Sequence, residues 1–265
     1  MAYWQVDKHR KKVYNYSLSI QYFKEERGVE MICKIADLTV DVPESGNMGD
    51  RCKDYITNAA CSPDITVLAD QYRPDRYQNA NEETVCYMES GFQFYRELLK
   101  YNGIMLHSSA VTYEGRAYLF SGPCGMGKST HTRLWQKVFG DKAVVFNDDK
   151  PAIRKLDGVY YAYGTPWCGK DGINANMKLP LAGICFLKRG EQNTIRRLNG
   201  FEAATNIMAQ TLHRFKDESN LSLMLAFVDE LINSIPVFEF KNLPVPDAAH
   251  LSYQTMCQAA KEVGL

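Results

Sequence analysis

The chain has 265 residues, 45% of them hydrophobic, enough for one substantial α/β domain or a core with a smaller appended one. Its 31 basic and 31 acidic residues cancel, so no electrostatic footprint for nucleic acid or an anionic membrane surface is present. No apolar run approaches the roughly 20 residues that span a bilayer. The eight cysteines (Cys33, Cys52, Cys61, Cys86, Cys124, Cys168, Cys185 and Cys257) contain no C-x-x-C pair. The segment Met1–Lys8 does not read as a signal peptide. A cytoplasmic protein with reduced thiols is expected.

In chain order, Tyr14–Tyr22 alternates like a strand, and Met31–Val42 holds one or two more. Pro43–Arg51 reads as a loop, Ile65–Ala69 as a short strand, and Gln71–Glu83 as a turn-rich connection. Val85–Tyr101 reads as a helix with Met88, Phe92, Tyr95, Leu98 and Leu99 on one face. Ile104–Thr112 is a strand, Tyr113–Arg116 a hairpin turn, and Ala117–Phe120 the next strand. Thr130–Phe139 is a helix ended by Gly140, and Ala143–Phe146 a strand that delivers Asn147, Asp148 and Asp149. Further strands are expected at Val159–Tyr163, Gly183–Leu187, Thr194–Leu198 and Val237–Phe240. Helices are expected at Phe201–His213, Leu221–Ser234 and from Asp247 after Pro246. The expected organisation is a strand-rich N-terminal region over residues 1–84 and an α/β core over residues 85–265.

The segment between the Ala117–Phe120 strand and the following helix is Gly122-Pro123-Cys124-Gly125-Met126-Gly127-Lys128-Ser129-Thr130. It fits G-x-x-x-x-G-K-[ST], the pattern of a phosphate-binding loop, in the strand–loop–helix context that pattern requires. The glycines let successive N–H groups turn inward on a phosphate. Lys128 supplies a point charge, Ser129 a hydroxyl for Mg²⁺, and the helix start its positive dipole end. ATP or another nucleoside triphosphate, with Mg²⁺, is the implied ligand pair. Asp148 and Asp149 stand one helix and one strand further on, where one acid can serve the metal and the other accept a proton from an attacking hydroxyl.

His107 lies on the strand before the loop strand. Trp167 and Lys170 sit in the Gly-rich stretch Gly164–Gly172, a candidate substrate loop. Arg154, Arg189, Arg196 and Arg197 are candidates for charge stabilisation at the γ-phosphate.

Leu106-His107-Ser108-Ser109-Ala110-Val111, the hairpin, Gly122–Thr130 and Asp148-Asp149, in that order, resemble the HPr serine kinase/phosphorylase family. A more distant similarity is to ATP-dependent phosphoenolpyruvate carboxykinase. The resemblance runs from about Ile104 to Ile153. It implies an α/β fold of the P-loop kinase type these two families share: a mixed sheet with flanking helices, here with a strand-rich N-terminal part. It implies that Lys128 and the loop amides hold the triphosphate, that Asp148 is the acid that deprotonates the acceptor, and that Asp149 joins Ser129 at the metal. The two acids can exchange these roles. His107 matches the family histidine near the transferred phosphate.

Departures from the family lie outside those motifs. Thr130-His131 stands where the HPr kinases carry an acidic residue, and Tyr163–Lys170 replaces the downstream Arg-Gly-Ile/Val-Gly signature. The expected activity is therefore transfer of the γ-phosphate to a hydroxyl of a protein, a peptide or a small metabolite, with the acceptor unspecified. The alternative is a non-catalytic nucleotide sensor or NTPase switch. No nucleic-acid or membrane partner is expected. HPr kinases are hexamers, which leaves a homo-oligomer open.

Overall fold

The structure is a computed structural model and describes residues 30–44, 47–58, 62–67, 80–211 and 218–265. The expected strand Tyr14–Tyr22 and residue His213 lie outside them. Strands β1 (Glu30–Ile35) and β2 (Leu38–Pro43) pair antiparallel, and β3 (Ile65–Thr66) adds parallel to β2. The expected loop after β2 instead contains a short helix, α1 (Met48–Cys52), because Met48 and Cys52 are buried beneath it.

Helix α2 (Glu82–Leu98) starts on the Asn81 side chain, which accepts from the Thr84 N–H at 3.0 Å. The buried face differs from the expected one. Met88 is 46% exposed, whereas Phe94 is fully buried. The reason is Gly91: the Trp167 indole packs so closely on it that an added Cβ would lie 2.8 Å from the ring. The indole then stacks on Phe94 at 4.7 Å between centroids. This rotates the helix so that Val85, Phe94, Tyr95 and Leu98 face inward. The three-stranded sheet, α2 and Trp167 share one apolar core.

The main sheet is mixed and curled. In it are β4 (Gly103–Met105), β5 (Ser108–Tyr113), β6 (Arg116–Ser121), β7 (Val144–Asp149), β8 (Ala152–Leu156), β9 (Val159–Tyr163), β10 (Lys178–Arg189), β11 (Thr194–Arg197) and β12 (Val237–Asn242). Neighbours run β4-β8-β9-β10-β6-β5-β7, and β12 joins β10 to β11. The register explains the curl. Met105 pairs with Ala152 and Ser108 with Asp149, so β4–β8 and β5–β7 keep one antiparallel register across the interruption between them. The interruption falls at Leu106-His107 opposite Lys150-Pro151, where proline has no N–H to donate. The single strand expected over Ile104–Thr112 is thus split at His107. β10 runs well beyond the expected Gly183–Leu187: its first residues pair with β9, and later ones with β6 and β12.

Period-2 alternation sorts the strands' side chains onto two faces. Leu119, Ile184 and Phe186 meet helices α4 (Gly200–Gln210) and α5 (Glu218–Ser234) through Ile207, Met224 and Leu231. Phe120, Cys185 and Leu187 face helices α3 (Lys128–Phe139) and α6 (Pro246–Glu262) through Trp135 and Met256. Among the described residues no helix is long and apolar enough to cross a membrane.

Two fold contacts give measurable expectations. Gly164 ends β9 with its Cα against the next segment; a Cβ there would lie 1.8 Å from the Ala175 carbonyl oxygen and 2.8 Å from that of Phe146. Gly164→Ala is expected to cost more than about 2 kcal/mol, because backbone on both sides must shift. A thermal melt that matched the parent chain would contradict this packing.

The second contact concerns His131, 1% exposed between α3 and α6. Its Nε2 accepts from the Trp135 Nε1–H at 3.3 Å and lies 3.0 Å from Ser252 Oγ, while Nδ1 has no partner among the described residues. Burial pushes its pKa from 6.5 down to about 3. The unfolded chain therefore takes up the proton first as pH falls. The stabilisation is complete above pH 6.5 and is lost toward pH 3, at up to about 1.4 kcal/mol per pH unit. Denaturant melts across this range should fall less steeply for His131→Gln than for the parent. Parallel pH profiles would contradict the assignment.

Candidate functional site

The segment Gly122–Gly127 links the end of β6 to the start of α3. Gly122, Gly125 and Gly127 adopt φ of 139°, 76° and 88°, values that favour glycine, and open space surrounds Gly125 and Gly127. Lys128 is folded back onto this loop: its Nζ donates to the carbonyls of Gly122 at 2.9 Å and Pro123 at 3.3 Å. Burial lowers its pKa, while Asp149, Cys124 and Asp148 act in the opposite sense. Cys124 is exposed. The helix behind the loop is held to the sheet by Thr132 Oγ1 and Ser109 Oγ, 2.7 Å apart.

The two acids diverge. Ser129 Oγ donates to Asp148 Oδ1 at 3.0 Å. Asp149 turns the other way, with Oδ1 3.1 Å from His107 Nε2 and Oδ2 paired with the Lys150 ammonium. Asp148 rather than Asp149 thus meets Ser129, the second of the two arrangements the sequence left open, because successive residues of a strand point to opposite faces. Burial acts to raise the Asp149 pKa, but contacts with His107 and Lys150 outweigh it and hold the carboxyl at about 2. Asp149 also adopts φ 140°, a strained value for a residue with a Cβ, and such strain persists where the surroundings impose it.

A buried hydrogen-bond network imposes it here. Asn147, fully buried, accepts from the Lys150 N–H at 2.9 Å and donates to the Thr165 carbonyl at 2.9 Å. The Lys150 carbonyl accepts from Tyr95 OH and, at 2.8 Å, from Thr165 Oγ1. Burial raises the Tyr95 pKa well above its ordinary value, so this phenol stays a donor. The break in the ladder is thus pinned on both sides of Asp149.

Met105, His107, Asp149, Lys150, Gln210 and Thr211 line a cleft of about 370 Å³. His107 Nδ1 lies 3.2 Å from Gln210 Oε1, so the ring is oriented from both ends. The 164–172 stretch abuts the same acids: a Cβ on Gly169 would lie 3.1 Å from that of Asp149. Trp167 from this stretch does not line the cleft; it is a core residue with Nε1 donating to Ser90 Oγ at 3.0 Å. Lys170 is exposed. Arg154 is buried and donates to the carbonyls of Tyr101 and Ala36, which removes it from any phosphate. Arg196 is engaged by Glu202 and Glu239. Arg189 and Arg197 are exposed at the β10–β12 side of the sheet.

Sequence reasoning missed Lys150 and Gln210. Lys150 carried a signal, since it follows the acid pair directly and precedes the proline that breaks the ladder. Gln210 carried none, because only the tertiary fold brings α4 to His107.

Residues 75–226, more than half of the chain, match the family described as SynChlorMet cassette protein ScmC, and the chain belongs to that family. The match includes every residue of the loop, the acid pair and the cleft. No curated protein matches the chain at a significant level. Among solved structures, the HPr(Ser) kinase/phosphatase from Coxiella burnetii is similar at 12% identity and a TM-score of 0.31, covering 60% of this chain and 95% of that one. A likeness of that size fixes neither architecture nor activity.

Proposed function

We propose that the chain is an ATP- and Mg²⁺-dependent kinase that transfers the γ-phosphate to a hydroxyl acceptor. The observation that carries this reading is the division of labour between the adjacent acids. Asp148 faces Ser129 at the start of α3, and Asp149 contacts His107 on the wall of a cleft.

The donor site follows from the loop. Nucleotide phosphates would draw Lys128 Nζ from the carbonyls of Gly122 and Pro123, which now stand in as its acceptors. Backbone N–H groups at the α3 N-terminus would complete the cradle. Ser129 and Asp148 offer two hard oxygens 3.0 Å apart, a donor set that suits Mg²⁺. Among the described residues no three His, Cys, Asp or Glu converge as a metal site, which fits an ion shared with substrate phosphates. Mg²⁺ held there would neutralise charge on the transferring phosphate.

On the other side, Asp149 would accept the acceptor's hydroxyl proton. The acceptor oxygen bonds to the γ-phosphorus, the bond to the β–γ bridging oxygen breaks, and the nucleoside diphosphate leaves. A transition state this loose releases the proton late, so a carboxylate of low pKa can serve, mainly by aiming the hydroxyl. His107, fixed by Gln210, holds the Asp149 carboxylate in place.

The test is incubation with γ-labelled ATP and Mg²⁺ in a cell extract, with Asp149→Asn in parallel. Label on a discrete acceptor, lost in the variant, is expected. Release of free phosphate alone, equal in both, would replace the kinase with an NTPase switch.

A further inference from the structure

A second cationic surface adjoins Asp149. Helix α1 places the Arg51 guanidinium 4.6 Å from the centroid of the Tyr87 ring, and the Lys150 ammonium lies 5.2 Å from the same centroid. Tyr87 is fixed by its hydroxyl, which accepts from the Gly169 N–H at 3.0 Å and lies 3.4 Å from Lys150 Nζ. Arg51 is fixed as well. Asn174 Nδ2 donates to its carbonyl at 3.0 Å, and Asn176 Nδ2 donates to the Asp54 carbonyl at 3.1 Å, tying the α1 region to the loop behind the acids.

Among the described residues the guanidinium has no acidic partner. Its side chain meets the Tyr87 face and, at 3.1 Å, Cys168 Sγ, and among the described residues no carboxylate lies within ion-pair distance of it. A guanidinium has five N–H donors in a planar fork suited to two oxygens. Half-buried, anchored and without a carboxylate partner among the described residues, it is prepared for an anion from outside the chain. Lys150 links it to the cleft: the ammonium is shared between Asp149 and Tyr87, so Asp149, Lys150, Tyr87 and Arg51 form one contiguous strip.

We propose that Arg51, beside Lys150 on the ring of Tyr87, binds an anionic group carried by the hydroxyl acceptor. The group is a carboxylate or a phosphate, placed so that the acceptor's hydroxyl meets Asp149. This deepens the kinase reading and rests on it for the identity of the second ligand as acceptor. Arg51 lies outside residues 75–226, so the match to the family does not include it. It is a binding residue for the acceptor, supplied by the N-terminal region.

The test follows the Arg side-chain Nε–H signals of the full chain by NMR, with Arg51 assigned by its absence in Arg51→Lys. The sample is first saturated with Mg²⁺ and a non-hydrolysable ATP analogue. It is then titrated with glycolate, inorganic phosphate or ethylene glycol. The Arg51 signal should stay in place with the analogue alone, shift saturably with glycolate or phosphate, and ignore the neutral diol. The stronger of the two anions identifies the group. In Arg51→Gln, affinity for that anion should drop about tenfold or more while analogue affinity is unchanged. No Arg51 shift with either anion, an equal shift with the diol, or saturation by the analogue alone would overturn the proposal. Failure of the analogue to bind would instead sink the kinase reading, and the Arg51 titration would still be readable.

Discussion

Asparagine at Asp149 is expected to cut phosphoryl transfer about 10³-fold, or about 4 kcal/mol of barrier, with nucleotide affinity nearly unchanged. The substitution preserves shape, and Asn tolerates positive φ better than most residues with a Cβ. It removes the negative charge that His107 and Lys150 now share. The amide cannot accept the hydroxyl proton, and its NH₂ would face one of two existing donors. Single-turnover kinetics separate this from weakened binding, since the loss should fall on the chemical step. Normal turnover in Asp149→Asn would move the base elsewhere, with Asp148 the first candidate.

The second large effect concerns the donor side. Lys128→Ala is expected to weaken Mg²⁺-nucleotide binding about 100-fold or more, from loss of a charge-assisted contact to phosphate in a confined site. Fold stability should change little, because among the described residues the ammonium donates to two loop carbonyls, which water can serve instead. Calorimetric titration and a thermal melt on the same sample report the two quantities. A variant that lost stability and affinity together would make Lys128 a structural residue.

The strand–turn–helix around Gly122–Thr130 and the strand end at Asp148-Asp149 were legible because each is local in sequence. Gly122 to Thr130 is contiguous, and Asp148-Asp149 stands at the end of an apolar strand. Which acid faces Ser129 was not legible. It depends on which face of β7 meets α3, and the pairing of β7 with β5 shifts register between Ala110 and Val111. Trp167 misled for a related reason: an aromatic in a Gly-rich loop reads as a site residue until Gly91 is known to open a slot for it. The face of α2 failed on the same contact. The split of the Ile104–Thr112 strand depends on Pro151, distant in sequence but opposite in the ladder. Gln210 and Arg51 reach the site only through the packing of α4 and of the β1–β3 sheet region, which no local pattern encodes.

The most direct measurement of the central claim is calorimetric titration of the full chain with ATP, with and without Mg²⁺. Saturable binding that requires Lys128 and strengthens with Mg²⁺ is the expected result. Absence of binding, or binding indifferent both to Mg²⁺ and to Lys128→Ala, would contradict the assignment of Gly122–Ser129 and Asp148 as the donor site.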